Sequence, residues 1–87
     1  MIALDTNILA RYLLADDAEQ AERATQLIDT HQCFVPVTVG LELAWVLSSQ
    51  KISKADILFA FSTLLTMEHI TLQFADAWQQ AIQWAAA

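Results

Sequence analysis

Two acidic residues stand apart in this 87-residue sequence. Asp5 is the only charged residue among the first ten, and it directly follows the apolar run Met1-Ile-Ala-Leu4. Glu42 is the only charged residue between Cys33 and Gln50, with Leu41, Leu43 and Trp45 around it. Burying one carboxylate without a partner costs several kcal/mol, and two close together cost more through repulsion. A divalent cation offsets that cost, and hard carboxylate oxygens suit Mg2+ or Mn2+. On spacing alone two plainer readings stand beside this one: Asp5 caps a helix, and Glu42 points to solvent from a helix N-terminus.

A shared cation requires elements that deliver both acids to one place. Met1–Leu4 reads as a short buried strand ended by Asp5, and Thr6 is placed to cap a helix that starts at Asn7 and carries Ile8, Leu9, Tyr12 and Leu13. Asp16 and Glu19 have capping-box spacing for a second helix, in which Ala21, Ala24 and Ile28 recur at helical spacing. Cys33–Val35 before Pro36 reads as a second strand, and Thr38 is expected to cap a helix through Leu43, Val46 and Leu47. Ser53 and Asp56 form another capping box, opening a helix with Ile57, Phe61, Leu64 and Leu65. Ile70–Leu72 reads as a third strand, and a final helix carries Trp78, Ile82 and Ala85.

This alternation predicts an α/β fold, a parallel sheet of three strands flanked by about five helices that serve as crossovers. In open parallel sheets ligands bind at the carboxyl ends of the strands. Asp5 and the start of the Glu42 helix then lie at the same sheet edge. With one Gly, one Pro, no repeat and no linker, nothing divides residues 1–87 into more than a single domain. The helical pattern is still strong at Ala85-Ala86-Ala87, so the expectation is a domain whose C-terminal part is missing.

Composition narrows the class further. Hydrophobic residues make up 56% and charged residues 16%, which excludes intrinsic disorder. That much apolar surface on a small chain predicts self-association or an apolar partner. Four basic against ten acidic residues, a net charge of −6, exclude a module that grips nucleic acid mainly through a basic patch. They do not exclude an acidic site in which a metal ion supplies the positive charge. Cys33 is the single cysteine, so there is no internal disulfide and no cysteine-based zinc site. Neither a signal peptide nor a membrane span is apparent, and a cytoplasmic protein is expected.

The stretch Met1-Ile-Ala-Leu-Asp5-Thr6-Asn7-Ile-Leu9 resembles the opening of PIN domains, where a strand ends in Asp followed by Thr or Ser and then Asn. Val35-Pro-Val-Thr38-Val-Gly-Leu-Glu42-Leu-Ala-Trp45-Val-Leu47 is similar to the second acidic motif of that family, in the form typical of VapC-type toxins of bacterial toxin–antitoxin pairs. The resemblance implies a Mg2+- or Mn2+-dependent ribonuclease toxin with RNA as substrate and a cognate antitoxin as partner. Asp5 and Glu42 take the first two acidic positions, as catalytic residues and metal ligands. Thr6 and Asn7 match the positions beside the first acid, where a hydroxyl and an amide orient the carboxylate or a bound water. Thr38 supports Glu42, by positioning it or by capping its helix.

The family's third and fourth acids belong to a later segment resembling Asp-Phe-Ala-Asp-Ala. Phe74-Ala-Asp76-Ala77 mimics those letters but directly follows the third strand, so Asp76 reads as a helix N-terminal residue favourable to the dipole. A catalytically inactive binding or dimerising module of the same fold is the alternative implied. Other candidates carry less. An aspartyl phosphotransferase needs a second acid where Asn7 stands, and His31 and His69 lack a nearby nucleophile or metal-ligand spacing. Arg11, Arg23, Lys51 and Lys54 read as scattered, and Trp45, Trp78 and Trp84 as core or interface.

Overall fold

Three short apolar runs supply the sheet, and their pairing sets everything else. The computed structural model describes residues 1–86. In chain order these form β1 (Ile2–Ala3), α1 (Thr6–Leu14), α2 (Ala18–Thr30), β2 (Cys33–Val35), α3 (Val37–Ser49), α4 (Lys54–Thr66), β3 (Ile70–Leu72) and α5 (Ala75–Ala86). The strands are parallel in the order β1-β2-β3, with Cys33 opposite Ile2 on one side and Ile70 on the other. The α/β class, the parallel three-stranded sheet and the five helices match the sequence reading.

Side-chain alternation along the strands separates two faces. Cys33, Val35, Ile70 and Leu72 are buried and form the core with Leu4, Leu9, Ile28, Leu43, Leu47, Phe61 and Leu64. Ala3 and Thr71, on the opposite face, are exposed, and Phe34 between them is half-buried. Helix α1 packs against α2 and α3, and α4 packs against β3 and α5. Ala24 and Ile28 are the buried positions of α2, as their helical spacing predicts. No helix of the described residues is long and apolar enough to cross a membrane.

Three helix starts differ from the reading of the sequence. Asp5, not Thr6, caps α1, its carboxylate accepting the Ile8 N–H at 2.8 Å. Asp17, not Asp16, caps α2 by accepting from Gln20 N–H at 3.1 Å. Helix α3 starts after Pro36, so Thr38 is its second residue, not its cap. At the first two starts either neighbour makes a good cap, and the one chosen is set by where the chain leaves the preceding element. Ser53 does cap α4, accepting from Asp56 N–H at 3.1 Å.

Helix α5 is held by an aromatic wedge. Trp78 stacks on Phe61 of α4, with ring centroids 4.9 Å apart and planes 8° from parallel. Its other neighbour is Gly40 of α3, where an added Cβ would lie 2.5 Å from Trp78 Cζ2. Only a residue without Cβ lets the indole lie against the α3 backbone. Gly40→Ala gains about 1 kcal/mol of helix propensity but overpacks this contact, typically at ~1–3 kcal/mol. We expect a net loss of stability, read as a lower urea midpoint with an unchanged m-value, and a less ordered α5.

Cys33 sits at the centre of the core, fully buried, with its Sγ 3.4 Å from the His31 carbonyl oxygen. Burial pushes its thiol up, an effect the N-terminal amine partly opposes. Because the thiolate is the reactive form, iodoacetamide at neutral pH should modify Cys33 far more slowly in the folded chain than in urea.

Candidate active site

Each of the two leading acids follows a strand of the sheet. Leu4 donates its N–H to the Phe34 carbonyl at 2.8 Å and is buried, which ends β1 and swings Asp5 out at the strand's carboxyl end. Asp5 is exposed, and its Oδ1 is engaged by the α1 cap bond. That bond fixes the carboxylate over the positive end of the helix dipole and leaves its second oxygen for another partner. Thr6, 7% exposed, is buried beneath it in the first turn, and Asn7 is exposed beside it.

Glu42 lies on the second turn of α3, the helix that leaves the carboxyl end of β2, and α3 packs against α1. Glu42 is exposed, as are its neighbours Leu41 and Trp45, at 61% and 70%. The desolvation cost inferred from its apolar neighbours in sequence is therefore absent, because Glu42 shares the solvent-facing side of α3 with Leu41 and Trp45, while of those neighbours Leu43 alone turns into the core. Both plainer readings hold as geometry: Asp5 is a helix cap and Glu42 faces water. Thr38 is exposed one turn before Glu42, at the i, i+4 spacing that shares a helix face. Asp76 is in the first turn of α5, after β3, as its helical reading predicted.

One supporting residue had no signal in the sequence. Pro36 provides no side-chain cap for α3, and the Val37 N–H is accepted instead by Gln73 Oε1 at 2.8 Å. Gln73 also donates its own N–H to the Val35 carbonyl at 2.9 Å. This one residue, 36 positions from Val37, ties the exit of β3 to the end of β2 and the start of α3. The next residue, Phe74, takes a left-handed backbone with φ 60°, a conformation that costs ~1–2 kcal/mol in a residue with Cβ.

His31 and His69 precede β2 and β3, at the amino ends of the strands, away from the edge that Asp5, α3 and Asp76 follow. His69 Nε2 is 3.7 Å from Asp29 Oδ1, and His31 Nδ1 is 2.9 Å from the Leu27 carbonyl. Asp29 also bears on Tyr12, whose hydroxyl pKa is raised first by burial and then by that carboxylate. Among the described residues neither Asp5 nor Glu42 forms an ion pair. No three or more His, Cys, Asp and Glu side chains converge there into a group able to hold a metal ion.

The parallel sheet order, the five helices and the acid at the end of β1 accord with one family model, that of the PIN domain, which matches residues 2–86. The chain belongs to the PIN-domain family. No curated protein and no solved structure matches it. Membership in the PIN family points to nuclease activity, nucleic-acid binding and the use of divalent metal ions in general.

In this PIN domain the start of α3 depends on Gln73. Removing its side chain leaves the Val37 N–H without its partner, and losing such a cap costs about 1 kcal/mol. Gln73→Ala should lower the urea midpoint accordingly and speed amide exchange in the first turn of α3, whereas substitution of exposed Gln79 should do neither.

Proposed function

We propose that this PIN domain is a divalent-cation-dependent endoribonuclease of the VapC-like toxin type, acting in the cytoplasm and controlled by a cognate antitoxin. What supports the reading is that Asp5 and Glu42 follow the carboxyl ends of adjacent parallel strands, on helices that pack together, and that no ion pair among the described residues consumes either. The two exposed carboxylates offer hard oxygen donors of the kind that suits Mg2+ or Mn2+, with the Asn7 amide beside Asp5 to orient it or a bound water. Asp5 and Glu42 would hold the ion, which when bound supplies positive charge for the phosphate and acidifies a coordinated water.

The chain's own residues do the positioning. The Ile8 N–H holds one Asp5 oxygen in place. Thr6 packs the first turn of α1 into the core beneath that carboxylate. Gln73 fixes the first turn of α3, and Thr38 shares the Glu42 face. Exposed Leu41 and Trp45 flank Glu42 and supply apolar surface for an antitoxin segment, or for a second copy of the chain.

A second reading, an inactive binding or dimerising module of the same fold, is favoured by one observation: no larger group of metal-competent side chains converges among the described residues. Two carboxylates hold Mg2+ loosely, and loose placement of water and phosphate forfeits most of the orientation benefit. Cleavage of single-stranded RNA by this chain in Mn2+ should therefore be slow. It should stop with EDTA and fall by about a hundredfold or more in Asp5→Asn and in Glu42→Gln, since changing even the partners behind a metal ligand typically costs about ten- to a hundredfold. Cleavage indifferent to both substitutions would sink the nuclease assignment to these acids. A complete lack of cleavage, with RNA still bound, would favour the binding module.

A further inference from the structure

The sequence carries only four Lys and Arg residues and a net charge of −6. Arg11 and Arg23 are twelve positions apart and read as scattered along the chain. The packing of α1 against α2 brings them to the same cleft of about 130 Å3, lined by Ile8, Arg11, Gln20, Arg23, Ala24 and Leu27. Lys51 and Lys54, the other two cations, belong to the α3–α4 junction. Half of the chain's positive charge thus faces one small groove whose floor is apolar.

We propose that this α1–α2 groove is a subsite for a backbone phosphate of the nucleic-acid strand, beside the position that Asp5 and Glu42 serve. The proposal rests on the nuclease reading for its choice of ligand and on three observations for its place. First, the two guanidiniums carry planar forks of N–H donors, which match phosphate oxygens in a way a lysine does not. Second, Ile8, Ala24 and Leu27 give the groove an apolar lining beside the two guanidiniums, against which the sugar of a strand can rest while its phosphate meets the arginines. Third, the groove begins beside the acid: Ile8 lines it and also donates the N–H that holds Asp5. Arg11 lies six residues beyond Asp5, an axial rise of about 9 Å at ~1.5 Å per residue. The groove and the acid are thus served by successive turns of one helix.

The plain reading of each arginine is weaker. Arg11 in the last turn of α1 complements the helix dipole, and Arg23 pairs with Glu19 in the i, i+4 arrangement. Both partners of that pair are about three-quarters exposed, so the pair is worth little and yields readily to a phosphodiester anion. Neither role explains why the two side chains line one groove with Gln20. A strand neutralised here also lessens the repulsion that a −6 chain exerts on RNA.

The test is binding of a short fluorescein-labelled single-stranded RNA of mixed sequence, followed by anisotropy in Ca2+ buffer across a range of salt. Arg11→Gln and Arg23→Gln should each weaken binding about fivefold, and the double variant should flatten the log–log salt dependence by about 0.7, the value for one phosphate contact on a single strand. Arg11→Lys should restore only part of the loss, because charge returns without the fork. Glu19→Gln should tighten binding by freeing Arg23. The charge-matched control, Lys51→Gln with Lys54→Gln, should change affinity less than either arginine variant. Side-chain Nε resonances of Arg11 and Arg23 should shift on adding the RNA. Unchanged affinity and salt slope in the arginine variants, an equal loss in the lysine control, or no RNA binding by the parent chain would each overturn the subsite. RNA bound through both arginines but never cut would support the subsite and count against the nuclease reading. Cleavage that needs Asp5 and Glu42 but ignores both arginines would overturn the subsite alone.

Discussion

β2 is three residues long, and among the described strands it alone is hydrogen-bonded on both edges. Its alternation puts Cys33 and Val35 into the core, and its register aligns the carboxyl ends of β1 and β3 with its own. The placement of Asp5 and α3 on one edge follows from that register. A parallel strand this short gains little from its ladder alone. The helices stapled to its end do the rest, and Gln73 is the staple, bonding the Val35 carbonyl with its backbone and the Val37 N–H with its side chain. Had the strands been antiparallel, alternate ends would have met, and the acids would lie at opposite edges.

Periodicity and turn chemistry made the fold legible. The strands at Cys33–Val35 and Ile70–Leu72 and the five helices follow from apolar spacing, because the core face of each element is built from its own regular positions. What sequence could not resolve was local choice. At Asp5-Thr6 and Asp16-Asp17 both neighbours are competent caps, and the geometry of chain exit decides between them. The start of α3 differs for another reason, since its first donor is satisfied by Gln73 at the exit of β3 rather than by a nearby Thr or Ser.

The candidate site divides the same way. Residue type and isolation singled out Asp5 and Glu42, and the strand-then-acid pattern carried the family resemblance. Their exposure was not legible, because it depends on which way α1 and α3 turn relative to their neighbours. Nor was the meeting of Arg11 and Arg23, which is a property of the α1–α2 pair and of no local stretch. Charge counted along a chain says how much is available, whereas packing decides where it acts.

The aromatic wedge at α5 has a spectroscopic corollary. Of the three tryptophans, Trp45 and Trp84 are 70% and 73% exposed and meet solvent whether or not the chain is folded. Trp78 alone lies against a second ring, held between Phe61 and the bare backbone at Gly40. Emission from this protein is therefore red-shifted in the native state and changes little on unfolding. Near-ultraviolet circular dichroism, which responds to fixed asymmetric ring packing, instead isolates Trp78 and so reports the docking of the last helix separately from the helical content of the rest.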